Sequence, residues 1–168
     1  FLLTSAFLLA VFSFSSSHVV NAQKRGGDRK LAIGFVSIPP VDRTANAPKD
    51  SDATARLLIQ KLKEYKVPAT GFLQGGMISD GEKFFPVRAN IARMWIDAGF
   101  ELGLGGFQHI GLYHTPVDDY IANIEKNERV AKQLIGENGF APRYFSYPYL
   151  NTGKTVVDKS KVEAWLTS

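Results

Sequence analysis

Apolar and polar positions along the chain switch repeatedly between short strand-like runs and longer stripes at helical spacing. Lys30 to Phe35 is an apolar run closed by Pro39-Pro40 and predicts a buried first strand, with Val36 expected at a core position. Thr44 to Asp52 reads as a polar loop. Asp52 then opens a helix to about Lys66, striped by Ala55, Leu58, Ile59, Leu62 and Tyr65. Val67 to Leu73 is a second strand, and Gly75-Gly76 and Asp80-Gly81 punctuate the loop beyond it. Pro86 begins the next helix, with Val87, Ile91, Met94, Trp95 and Ala98 on one face and Gly99 after its end. Phe100 to Leu104 is a third strand.

Thr115-Pro116-Val117-Asp118 has the order of a helix cap, with Pro at the first helical position and an acid three residues after the Thr. The helix that follows runs to about Ile135 and carries Val117, Tyr120, Ile121, Ile124, Val130 and Leu134. Tyr144 to Tyr147 reads as a fourth strand, and Asp158 to Leu166 begins a further helix. Strand and helix alternate throughout and no internal repeat is visible. This implies an α/β fold of parallel strands, about four in chain order, with flanking crossover helices. In such folds the functional loops lie at the carboxyl ends of the strands. The loops after Phe35, Leu104 and Tyr147 are therefore expected to converge at one end.

The N-terminus follows a different pattern. Phe1 to Phe14 is an almost unbroken apolar run, followed by Ser15-Ser16-Ser17 and then Val20-Asn21-Ala22. An apolar core ahead of small residues is what a signal peptidase cuts, so residues 1–22 are expected to be a signal peptide cleaved after Ala22. The run falls short of the roughly 20 apolar residues that span a bilayer. The expectation is a secreted or periplasmic protein with no stable membrane anchor after cleavage. Residues 23–30, with Lys24, Arg25, Arg29 and Lys30, form a basic tether, and 31–168 form the folded domain. With no initiator Met or basic n-region, the chain is expected to begin inside its true start.

Composition adds exclusions. The 168 residues suit one domain, and 45% hydrophobic and 21% charged residues describe an ordinary globular chain. Much of the +4 net charge sits in the tether, not spread over a folded face, so no nucleic-acid partner is expected. The lack of cysteine excludes a disulfide scaffold, a thiol nucleophile and Cys-ligated zinc.

Three segments carry a family resemblance: Ala32-Ile33-Gly34-Phe35-Val36-Ser37-Ile38-Pro39, Glu101-Leu102-Gly103-Leu104-Gly105-Gly106-Phe107-Gln108-His109, and Phe145-Ser146-Tyr147-Pro148-Tyr149-Leu150-Asn151-Thr152-Gly153. In this order the chain resembles the polysaccharide deacetylase family (carbohydrate esterase family 4, the NodB-homology domain) from about Leu31 to its end. The resemblance implies a partial, distorted (β/α) barrel, C-terminally incomplete because the family's fourth and fifth motifs would lie beyond Ser168. It also implies a metal-dependent hydrolysis of N- or O-acetyl groups on a chitin-like or peptidoglycan-like carbohydrate polymer. In the family an Asp and two His hold zinc or another divalent ion that activates a water. A second Asp, tuned by an Arg, is the base.

In this chain Val36 stands at the base position and Ser37 at the metal-binding Asp. Gly105 stands at the first metal His, His109 matches the second, and Ser146 stands at the Arg. Pro148 and Tyr149 of the substrate loop remain. The replacements predict an inactive member that holds no metal tightly. The alternative is a non-catalytic carbohydrate-binding module on the same scaffold. A displaced metal site from His109 and His114, with Asp42, Asp118 or Asp119, is also conceivable. Against it, Asp118 and Asp119 suit the first turn of a helix, and His109 suits a loop histidine making one hydrogen bond. Phe107, Tyr113, Phe145, Tyr147 and Tyr149 suggest an aromatic lining, with Phe145 favoured as core and Tyr149 as cleft.

Overall fold

The computed structural model describes residues 31–39, 47–136 and 141–168. The expected signal peptide and basic tether lie outside the described residues, as does Asp42. Strands β1 (Ile33–Ile38), β2 (Ala69–Leu73) and β3 (Glu101–Leu104) form a parallel sheet in the order β1-β2-β3. The crossovers are helix α1 (Ala47–Glu64) between the first two strands, and α2 (Gly75–Ile78) with α3 (Pro86–Asp97) between the second and third. Parallel pairing requires such long connections, and here helices supply them.

Alternation along β2 decides the two faces. Ala69, Gly71 and Leu73 are buried, whereas Thr70 and Phe72 are only partly covered. Backbone and helix approach closely at Gly71, where a Cβ would stand 2.7 Å from Ile38 and 2.9 Å from the Trp95 ring. Trp95 is held from both sides: its indole N–H donates to the Glu101 carbonyl at 2.8 Å, and Phe35 packs edge-on at 5.4 Å. On the other face, Val36 pairs with Phe72 and is 53% exposed. It is not the core position that its apolar run suggests. The strand alternates, and Val36 falls on the side away from the helices.

Helix α4 (Val117–Ile135) lays Tyr120, Ile124, Asn127, Val130, Ala131 and Leu134 into the core, and α5 (Val156–Leu166) adds Val162. The spacing of four, three, four and three through 120, 124, 127, 131 and 134 is one helical face, with a polar residue at its middle.

Several sequence expectations shift. The fourth strand, residues 144–147, is a single parallel bridge between Leu104 and Phe145. The Leu104 N–H donates to the Tyr144 carbonyl at 2.9 Å, and the Ser146 N–H donates to the Leu104 carbonyl at 2.8 Å. Both bonds fall on the last residue of β3, so no longer ladder forms among the described residues. Helix α1 starts upstream of Asp52, and Pro48 falls in its first turn, where a missing N–H costs nothing. Tyr65 lies beyond the end of α1 and is exposed, and Val87 is likewise exposed at the start of α3. Thr115 does not cap α4: Pro116 is the N-cap, and the Thr115 hydroxyl turns back to donate to the Gly111 carbonyl at 3.0 Å. The reciprocal cap instead opens α5. There the Asp158 N–H donates to Thr155 Oγ1 and the Thr155 N–H donates to Asp158 Oδ2, both at 3.1 Å.

Candidate functional site

The carboxyl ends of the strands gather most of the positions singled out in the sequence. Between Val36, paired with Phe72, and Ile38, paired with Leu73, β1 bulges by one residue, and that residue is Ser37. Its φ of 68° lies in the left-handed region, which costs a non-glycine residue on the order of 1 kcal/mol. The Ser37 hydroxyl donates to Gln74 Oε1 at 3.1 Å, and the Gln74 N–H donates to the Ile38 carbonyl at 3.3 Å. Gln74 follows the last residue of β2 and Ser37 is the penultimate residue of β1, and the two close on each other.

Gly105 follows β3, and its N–H donates to the Leu73 carbonyl at 3.0 Å. A Cβ at Gly105 would sit 3.2 Å from that same oxygen. Asn127 clamps this point from beneath. Its Nδ2 donates to the Leu73 carbonyl at 2.8 Å and its Oδ1 accepts the Gly75 N–H at 2.6 Å. Asn127 thus positions Gln74 and, through it, Ser37. Its buried place in the apolar face of α4 is the signal that sequence reasoning passed over. Ser146 joins the same end through its bond to Leu104.

The loop after residue 104 meets the loop after residue 147. The His109 and Tyr149 rings pack edge-to-face with centroids 4.4 Å apart. Pro148 is buried beneath, while Tyr149 is 72% exposed. Tyr149 and Leu150 both have left-handed backbone, φ 57° and 55°. Asn151, another residue the sequence reading missed, braces the turn: its Oδ1 accepts the Tyr113 N–H at 2.6 Å and the Gly153 N–H at 3.3 Å.

Not every expected aromatic residue lines this surface. Phe107 is buried with Lys126 Nζ 3.8 Å from its ring centre, so it belongs to the core. Phe145 and Tyr147 pack edge-on at 5.0 Å, and Tyr120 stacks on Tyr147 at 6.3 Å. Burial, and then the neighbouring Tyr147, pushes the Tyr120 hydroxyl pKa well up. Burial, and then the Glu163 carboxylate, raises that of Tyr147. Tyr149 and Tyr113 remain as exposed rings.

The donor set at the aligned positions does not suit a divalent ion. Ser37 is a neutral hydroxyl already bonded to an amide, Gly105 has no side chain, and the His109 ring lies against Tyr149. Among the described residues no three His, Asp or Glu side chains gather closely enough to share an ion. His109, His114, Asp118 and Asp119 form no such group among the described residues, and Asp42, the other acid considered with the two histidines, lies outside them. His114 is exposed and packs on Tyr113 at 4.8 Å. A larger cavity, about 780 Å³, lies at the amino ends of the strands beside Ile33, Ala69 and Glu101, at the wrong end for the chemistry of a parallel sheet.

Comparison with known proteins shows the family and the fold. The sequence model of a family described as polysaccharide deacetylase matches residues 41–162. A peptidoglycan-N-acetylglucosamine deacetylase of Bacillus cereus is 32% identical over 100 residues, covering 60% of this chain and 32% of that protein. The chain thus spans about a third of that relative's length. Among solved structures, a carbohydrate esterase family 4 pseudoenzyme from Bacillus anthracis superposes with a TM-score of 0.57 at 16% identity. That match covers 79% of this chain and 40% of the other. A mutant of the same pseudoenzyme with restored enzymatic activity matches equally well, at 0.57. A family 4 acetyl xylan esterase from Clostridium thermocellum, in complex with a cobalt ion, gives 0.50 at 24% identity, covering 76% and 54%. At these identities the solved structures show a shared fold.

Proposed function

The chain belongs to the polysaccharide deacetylase family, and we propose that it is an exported member that does not hydrolyse acetyl groups. The observation that carries this reading is the neutral Ser37–Gln74 pair, in place of an ionised metal ligand, at the carboxyl end of β1. A hydroxyl hydrogen-bonded to an amide neither holds a divalent cation tightly nor supplies negative charge to activate a water. Val36 has no group that accepts a proton, and Ser146 has no charge with which to tune one. Gly105, against the Leu73 carbonyl, leaves no donor where a second imidazole would stand. Export rests on the apolar run of Phe1 to Phe14 and the small residues before Gln23.

The test is direct. The purified full chain, supplied with zinc, is incubated with N-acetylglucosamine oligomers and with peptidoglycan fragments, and free acetate is measured. Release at the no-protein rate and no zinc retained through dialysis are expected. Acetate release, or one zinc per chain after dialysis, overturns the reading.

A second reading, carbohydrate binding without catalysis, is favoured by Tyr149. Its ring is exposed yet fixed edge-on by His109, as a platform for a sugar ring must be. The name of the Bacillus cereus relative makes an N-acetylglucosamine glycan the polymer to try. Measurable affinity for such fragments without acetate release supports it, and absence of affinity removes it.

A further inference from the structure

Beside the Tyr149 turn lies a cavity of about 320 Å³, walled by residues 112–117 on one side and by Lys154 and Asp158 on the other. Its walls are held in place. The Tyr113 N–H is bound by Asn151, Thr115 is tied to Gly111, and a Cβ at Gly153 would meet Asp158 at 3.1 Å and Leu112 at 3.2 Å. The cavity opens next to the sugar platform, because a Cβ at Gly111, two residues before Tyr113, would lie 3.7 Å from the Tyr149 ring.

The chemistry of its lining is specific. The Tyr113 ring is 45% exposed and is steadied by His114. Lys154 Nζ stands 5.2 Å from the centre of that ring, and among the described residues it forms no ion pair. The one acid in the wall, Asp158, is engaged elsewhere: its carboxylate accepts the Thr155 N–H and sits in the first turn of α5, where the helix dipole favours a negative charge. The cavity therefore offers, side by side, an aromatic face and an ammonium that forms no ion pair among the described residues. A pyranose presents apolar C–H faces to such a ring, and a carboxylate on that pyranose would meet the ammonium.

We infer that the Tyr113–Lys154 cavity is a binding site for a carboxylate-bearing sugar residue of the polymer. The inference rests on the carbohydrate-binding reading above and specifies the class of sugar. The probes are a tetrasaccharide of alternating N-acetylglucosamine and N-acetylmuramic acid with free carboxylates, and the same tetrasaccharide with those carboxylates methyl-esterified. Titrated into the full chain at low ionic strength, the free acid is expected to bind about fivefold more tightly than the ester, the margin of a partly exposed ion pair. That margin should shrink as salt is added. Lys154→Gln should bring the affinity for the acid down to that for the ester, and Tyr113→Ala should weaken both. Equal affinities for acid and ester, or a margin that survives Lys154→Gln, overturn the inference while leaving carbohydrate binding intact. Failure of both probes to bind overturns the carbohydrate reading as well.

Discussion

Ser37 and Gln74 meet across the carboxyl ends of β1 and β2, the serine hydroxyl donating to the glutamine amide oxygen at 3.1 Å. The contact closes the end of the sheet at which parallel α/β folds place their chemistry, and it does so without a charge. The left-handed backbone of Ser37 also suits an Asp, which tolerates that conformation better than most residues.

The double substitution Ser37→Asp, Gly105→His is therefore expected to create zinc affinity beside His109. Even outer-shell changes alter metal affinity by about 10- to 100-fold, so two added inner ligands should raise it at least about tenfold. The new Cβ at 105 crowds the Leu73 carbonyl at 3.2 Å, and a stability loss of about 1 kcal/mol is expected. Calorimetric zinc titration checks the first outcome and urea denaturation the second. A folded double variant with no zinc affinity refutes the residue-by-residue alignment. Val36→Asp and Ser146→Arg belong in a second round as a pair, since a guanidinium keeps a nearby carboxylate ionised. The half-exposed setting of Val36 makes that carboxylate cheap to introduce.

Asn127→Ala should cost about 2–4 kcal/mol, because it strands the Gly75 N–H and removes a partner of the Leu73 carbonyl, both buried. Gly75→Ala should be similarly damaging, since its Cβ would stand 2.5 Å from Asn127 Oδ1. The two losses should be strongly non-additive in a double-mutant cycle measured by urea unfolding. Additive losses would show that the clamp is not a unit.

Tyr149→Ala should lower affinity for an N-acetylglucosamine tetrasaccharide by about three- to tenfold, while Tyr149→Phe stays near the parent. Because the ring is mostly exposed, neither change should move the melting temperature appreciably. Calorimetry and thermal denaturation read the two effects separately. Unchanged affinity in Tyr149→Ala would remove Tyr149 from the sugar surface.

Alkaline pH should destabilise the fold through Tyr120 and Tyr147. Their hydroxyls are buried without a hydrogen-bond partner among the described residues, and both pKa values are raised. The unfolded chain ionises its tyrosines near pH 10, whereas the folded chain keeps these two neutral above it. Their contribution is whole below about pH 10 and is lost as pH climbs through the folded pKa values, because the unfolded state releases its protons first. Tyr120→Phe should flatten this decline. Near neutral pH it should also stabilise the fold by about 1 kcal/mol, by removing an unpartnered hydroxyl. Urea unfolding at neutral and alkaline pH gives both numbers.

Periodicity foretold the fold well where one residue type dominates one face. The stripe of α4 and the start of α3 at Pro86 came through, because burial repeats at helical spacing and Pro favours the first turn. It failed where local pattern and tertiary neighbours disagree. Val36 looks buried within an apolar run but faces outward. Residues 144–147 have strand composition, yet among the described residues their one ladder partner is the last residue of β3. Thr115 has the spacing of a cap, but the Gly111 carbonyl claims its hydroxyl.

The sequence by itself determined the family, the parallel α/β order and the residue types that stand at the strand ends. Each of these is a property of residue type and spacing along the chain. Tertiary structure decided what those residues do with one another. Ser37 closes on Gln74, Asn127 clamps Leu73 and Gly75 from a helix some fifty positions away, and His109 braces Tyr149. Such contacts depend on distances set only when the crossovers bring the strand ends together, and a hydrogen bond has a partner only after that has happened.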